Sequence, residues 1–321
     1  MSDNENNKNL DFPNSFRRGI NMGNILENKT ENKSLTTSIL NNKHFSIIRN
    51  KGFDFVRIPV RWFTRFNGSI IEEAFFERVE NIMNAVLQNN LGVIINIHHY
   101  DELTSNPSGE EDNLYKIWEQ ISDRFKDLPQ SVVLEVLNEP KDEILTSDWC
   151  PMQNKCIEII RKTNPARKII ISGADMGDPY ELGNLIFPDS VRNDPNIIAS
   201  FHYYIPLEFT HQGASWWPNS ERHMGTRWFG TEDEKSYIEN DFKNIREWSL
   251  TNHIPVILGE FGAYEKAEYD DRVRYTAFIR EMAEKHGFSW AYWEFCSSFG
   301  IYDKTTGTFK PELTKALIES L

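Results

Sequence analysis

Short, almost wholly apolar runs rich in β-branched residues alternate along the chain with longer stretches whose apolar positions recur every three or four residues. The apolar runs are SFRRGINMG, FDFVRIPV, LGVIINIHH, SVVLEVLNEP, KIIISGADM, NIIASFHYY, IPVILGEFG and FSWAYWEF, and each has the character of a strand. Helical spacing predicts helices over 73–90, 111–127, 148–163, 232–252 and 270–287, with a weaker run at 36–51, a short one near 180–186 and a closing helix at about 311–321. Strands that are apolar on both faces belong in a parallel sheet covered on both sides. Eight of them in alternation with helices predict an α/β fold, a single (β/α)8 TIM barrel, rather than an open doubly wound sheet.

The 321 residues exceed a typical domain of roughly 150, but single α/β barrels are routinely longer. The barrel is therefore assigned to 11–321 as one domain, and the polar, Asn-rich start MSDNENNKNL to a disordered tail over 1–10. A formal charge of −13, spread as mixed acids and bases, repels a phosphate backbone, which excludes nucleic acid as a partner. No apolar leader and no run of eighteen apolar residues occurs, so neither a signal peptide nor a membrane span is expected in the sequence as given. Cys150 and Cys156 lie six apart in a predicted helix, ~9 Å between Cα atoms at 1.5 Å per residue, too far for a disulfide. With Cys296 they read as small buried hydrophobes. No CxxC or HExxH pattern is present, so no metal and no cofactor is expected.

In parallel barrels chemistry gathers at the C-terminal strand ends. Strand four ends Leu-Asn-Glu-Pro at 137–140, and strand seven ends Gly-Glu-Phe-Gly at 259–262. Glu139 and Glu260 therefore stand at the mouth, three strands apart round the ring, where they can face each other. Glycoside hydrolysis needs such a pair: one carboxyl protonates the leaving oxygen, and the other attacks the anomeric carbon or activates a water. Each Glu, taken singly, could instead be a salt-bridged structural carboxylate.

The companions sharpen the reading. Arg57 lies inside the apolar strand VRIPV and needs an anionic partner. That partner is either an acid at the mouth or Glu135, which shares the side-chain parity of Glu139. His98 and His99 end strand three, and His202, Tyr203 and Tyr204 end strand six. Asn138 can offer an amide to a sugar hydroxyl. Trp293 ends strand eight, placed to stack on a pyranose face, while alternation turns its neighbour Glu294 to the other side. The connection 205–231 carries Trp216, Trp217, Trp228 and Phe229. It reads as a wall of the substrate cleft, or else as a loop clamped to the surface by its own aromatics.

Taken in order, RGINMGN, VRIPVRW, INIHHY, LNEP, HYY with PLEFTHQGASW, GEFGAY and WAYWEFCSSFG resemble glycoside hydrolase family five, the cellulase family, over nearly the whole chain. The resemblance implies a retaining mechanism with Glu139 as acid/base and Glu260 as nucleophile. It implies that Arg57 and Tyr204 hydrogen-bond Glu260, that His202 sits beside Glu139, that Asn138 binds the 2-hydroxyl and that His98 contacts the sugar next to the cut. Asn24, Glu27, His99 and Trp216 match positions lining the glycone side or the cleft wall. The mechanism asks that Glu260 be kept ionised while Glu139 holds its proton near neutrality.

After strand five, where several relatives carry a Trp, this chain has Met176, which leaves the sugar preference open. The leading expectation is an endo-β-1,4-glucanase acting on cellulose or mixed-linkage glucan. Mannan or glucomannan, xylan and xyloglucan remain open as main substrates, and a non-catalytic polysaccharide-binding barrel or a metal-dependent enzyme are readings from other classes. The expected partner is a β-linked polysaccharide or oligosaccharide, with no membrane and a monomeric state. The family implies an extracellular setting, while the missing leader leaves an intracellular one open.

Overall fold

The computed structural model describes residues 16–30 and 32–319. Eight parallel strands close into a barrel in sequence order: β1 Arg18–Asn21, β2 Phe55–Ile58, β3 Gly92–Asn96, β4 Val132–Glu135, β5 Ile169–Ser172, β6 Ile197–Tyr203, β7 Val256–Phe261 and β8 Ser289–Tyr292. Each coincides with one of the apolar runs. The tail expected over 1–10 lies outside the described residues, as do the last two positions of the closing helix, which ends at Ile318.

The long helices Glu73–Gln88, Pro107–Arg124, Thr146–Thr163, Glu232–Asn252 and Tyr269–Lys285 fall where the spacing predicts them. The weak run at 36–51 is two helices, Lys33–Ile39 and Asn42–Lys51. The Asn41 side chain accepts the His44 amide and starts a new helix there, as an N-cap does. The run near 180–186 is a 3-10 turn, Pro179–Asn184. A two-stranded ribbon, Tyr302–Asp303 with Thr308–Phe309, was not predicted.

Strand alternation divides the core. Outward side chains pack with the helices into the larger apolar cluster. Inward ones form two layers. The lower is apolar: Phe16, Phe55, Ile94, Val133, Ile170, Ile198, Ile257 and Ala291. Two residues further along the strands stand Asn21, Arg57, Asn96, Glu135, Ser172 and Ser200, all buried. The barrel thus has a dry floor and a polar ceiling, and the ceiling is the base of the site.

Candidate active site

Arg57 organises the base. All five of its N–H groups are used: Nε and Nη2 donate to the two Glu135 oxygens at 2.6 and 2.8 Å, Nη2 to Asn138 Oδ1 at 2.6 Å, and Nη1 to Asn21 Oδ1 and Glu260 Oε1, both at 2.8 Å. The two partners weighed from the sequence are therefore both engaged. Burial opposes the charge of Arg57, but Glu135 and then Glu260 outweigh it and push its pKa up.

Glu260 reaches the interior through an irregularity. Leu258 and Phe261 point outward into the larger cluster, and Ile257 points inward. Between β6 and β7 the register shifts, so that Phe201 pairs with Leu258 but His202 with Glu260. Gly259 is the extra residue of this β-bulge, and it turns Glu260 inward where unbroken alternation would turn it out. A Cβ on Gly259 would lie 2.6 Å from Ser200 Oγ and 3.0 Å from His202 Nε2; glycine lets β6 and β7 approach there.

Around Glu260, Tyr204 donates its hydroxyl to Oε2 at 2.9 Å. His202 Nδ1 lies 2.8 Å from Glu139 Oε1 and 3.8 Å from Glu260 Oε2. One ligand-type atom each from Glu139, His202 and Glu260 lies within 4.8 Å of the others, a donor set that could hold a metal ion. Burial raises the pKa of Glu260 against the pull of His202 and Arg57. At Glu139 burial also opposes the charge, but the His202 hydrogen bond outweighs it and lowers the pKa. This order is the reverse of the one expected for acid and nucleophile. The cause is His202, itself pulled up against its burial by Glu260 and then by Glu139, so the charge states of the three groups depend on one another.

His98 is buried, and burial followed by His99 holds its pKa well down, so the ring is neutral. The Asn96 amide accepts from Val60 N through Oδ1 and presents Nδ2 to His98 Nδ1 at 3.2 Å, which leaves the ring proton on Nε2. Trp293 lies parallel to His98, centroids 5.6 Å apart, against Gly23, where a Cβ would come within 2.6 Å of the indole. His99 is half-buried, its pKa lowered to about 4 by burial and then by Arg61.

Asn24 adopts a left-handed conformation, φ 63°, which Asn tolerates, and exposes its side chain. The Glu27 carboxylate accepts the backbone N–H groups of Asn24 and Ile25; burial pushes its pKa up to about 7. Glu294 is fully buried and accepts from the N–H groups of Cys296, Ser297 and Phe299, which fixes the loop after β8 and removes it as a rival acid.

The connection 205–231 plays both roles weighed for it. Trp216 is exposed and meets His211, whose ring packs on Tyr204, so this part borders the site. Trp228 is buried against Tyr275 and Phe278 and clamps the loop to the helix Tyr269–Lys285; it is not part of a cleft wall. Asn21 and Asn96, which brace the base of the site, were not singled out from the sequence. Their signal was a polar residue at an inward position of an apolar strand, the same that marked Arg57.

A closed (β/α)8 barrel with two mouth carboxylates braced by Arg, His and Tyr defines a glycoside hydrolase barrel. The family model for the cellulases, glycosyl hydrolase family 5, matches residues 21–298, and the chain belongs to that family. Endoglucanase H of Acetivibrio thermocellus is 33% identical over 308 residues, which cover 93% of this chain and 32% of that protein. The chain thus spans about a third of that relative's length. Thermotoga maritima Cel5A, solved in complex with cellobiose, has a TM-score of 0.90 and 40% identity over 94% of this chain and 97% of that one. Its complex with mannotriose gives 0.90 and 39% over the same shares.

Proposed function

We propose that the chain is a retaining, endo-acting β-1,4-glucanase that cleaves cellulose chains or mixed-linkage glucan by double displacement. The observation that carries this reading is the pairing of Glu139 with Glu260 across His202, with donor atoms within 4.8 Å of one another. Carboxyls about 5 Å apart favour direct attack on the sugar, whereas inversion needs roughly 6.5–9.5 Å to admit a water.

Glu260, aimed by Arg57 and Tyr204, attacks the anomeric carbon as the C1–O bond breaks. The proton held between His202 Nδ1 and Glu139 Oε1 passes to the leaving oxygen. Glycosylation turns the Glu260 carboxylate into a neutral ester, so His202 and Glu139 lose a negative neighbour and the pKa of the pair falls. Glu139 then takes a proton from water, the hydroxide attacks C1, and Glu260 leaves as a carboxylate. Asn138, its oxygen held by Arg57, keeps its NH2 for the 2-hydroxyl; His98 offers Nε2–H to the bound sugar, and Trp293 its face.

The named relatives support glucan as main substrate, and the mannotriose complex of Cel5A supports mannan as a second one. Parallel hydrolysis of carboxymethyl cellulose, barley glucan, mannan and xylan tests the substrate, and activity on mannan alone would overturn the glucanase reading. The roles are tested by Glu260→Gly with azide. It is expected to lose orders of magnitude of rate and regain part of it as an α-glycosyl azide, and an inverted product from the unmodified enzyme would sink the mechanism.

A further inference from the structure

We propose that Glu135, buried at the end of β4 four residues before the acid/base, is a positioning residue: it grips the guanidinium of Arg57 so that one N–H is left for Glu260, one for Asn21 and one for Asn138. The inference rests on the retaining reading above and adds to it a determinant of how strongly the nucleophile is charged.

Glu135 and Arg57 are each 1% exposed, and Glu135 takes the Nε edge of the fork with both oxygens. A planar fork gripped on one edge cannot rotate. Its remaining Nη2 hydrogen then falls on Asn138 and its Nη1 pair on Asn21 and Glu260. Asn96 Nδ2 stands 3.5 Å from Glu135 Oε2 and closes the far side. Without the Glu135 charge, Arg57 would have Glu260 as its one anionic contact and would turn its edge toward it. Glu135 thereby shares out the positive charge: enough reaches Glu260 to aim it, and too little to quench its basicity.

Other groups act on Glu260 besides Arg57 of β2: His202 of β6, Tyr204 just after it, Glu139 after β4 and Glu27 after β1. None of them touches the Nε edge that Glu135 holds. Changing Glu135 therefore reaches the nucleophile through Arg57, which hydrogen-bonds both.

The test is the pH dependence of kcat/KM on an aryl β-cellobioside for Glu135→Gln and Glu135→Asp. Gln keeps the shape but loses the charge and sets an NH2 against an Arg57 N–H. It should lower kcat/KM by about tenfold to a hundredfold and move the acid limb to lower pH by about one pH unit, because Glu260 then keeps more of the Arg57 charge. Asp keeps the charge on a shorter arm; its acid limb should stay in place with kcat/KM between the two. If Gln fails to fold, as judged by circular dichroism, Asp decides alone, and wild-type kcat/KM in Asp would overturn the proposal. So would a folded Gln variant with the wild-type limb. Azide rescue of Glu260→Gly is read separately: its failure sinks the retaining reading, whereas its success beside an unmoved Glu135→Gln sinks only this inference.

Discussion

Replacing Tyr204 by Phe removes the one donor among the described residues within hydrogen-bond distance of Glu260 Oε2, since His202 Nδ1 stands off at 3.8 Å and Arg57 serves Oε1. A hydrogen bond to a charged group contributes about 1.5–3 kcal/mol. The cost should fall on the step that regenerates the carboxylate. In glycosylation the charge on Glu260 is being lost, so the donor is needed less as the reaction proceeds; in deglycosylation the charge is being formed, so it is needed more. At 1.36 kcal/mol per tenfold, Tyr204→Phe should slow deglycosylation by about tenfold to 150-fold. Steady-state kcat on an aryl cellobioside would fall accordingly, KM would fall with it as glycosyl-enzyme accumulates, and a burst of phenol would appear in stopped flow. Because the charged form of Glu260 loses a donor, its pKa rises, and the acid limb of kcat/KM should move to higher pH. That is the opposite direction to Glu135→Gln. An unchanged kcat without a burst, or a limb that moved to lower pH, would refute the reasoning.

Three further outcomes follow from named contacts. Gly259→Ala drives a methyl to 2.6 Å from Ser200 Oγ and 3.0 Å from His202 Nε2; it should cost about 1–3 kcal/mol in urea unfolding and lower kcat by displacing His202, and an unmoved midpoint would contradict the packing argument. The Asp271 carboxylate accepts from Arg227, Arg274 and the Trp228 N–H, chiefly the Arg227 bond holding its pKa down to about 2. Its stabilisation is therefore present above the unfolded value near 4 and lost as pH falls toward 2: Asp271→Asn should lower Tm at pH 7 with a gap that narrows below pH 4, and a gap constant from pH 7 to 2 would argue against it. Trp293→Ala should raise KM for cellotriose about twofold to tenfold, from the roughly 0.5–1.5 kcal/mol of a stacked ring, and leave the acid limb in place; a moved limb would mean that the indole does more than stack.

Much of this site was legible because chemistry broke a pattern. Arg57, Glu139, His202 and Glu260 are polar residues in or just after apolar strands, and a barrel puts such ends together. The bulge at Gly259 was not legible: alternation counted from Leu258 sends Glu260 outward, and only the register between β6 and β7 corrects it. The sharing of charge was hidden for a similar reason, since which of Glu139 and Glu260 His202 pulls down depends on 2.8 against 3.8 Å. Composition misled at Trp228, where an aromatic in a long loop serves the loop's own anchorage. The break between the two first helices was present in the Asn41-Asn42 pair but outweighed by the weak apolar spacing on either side.

Asn21 sits at the seam where the first strand meets the last, its Nδ2 3.0–3.2 Å from the carbonyl oxygens of Gly259, Ala291 and Tyr292 while its Oδ1 receives Arg57. A cut between β4 and β5 would divide the chain into one piece bearing Arg57, His98 and Glu139 and another bearing His202, Tyr204, Glu260 and Trp293. Neither fragment could turn over a glycoside by itself. Two inert halves mixed together would therefore report their own reassembly, with hydrolysis switching on only when the ring has closed at both joints.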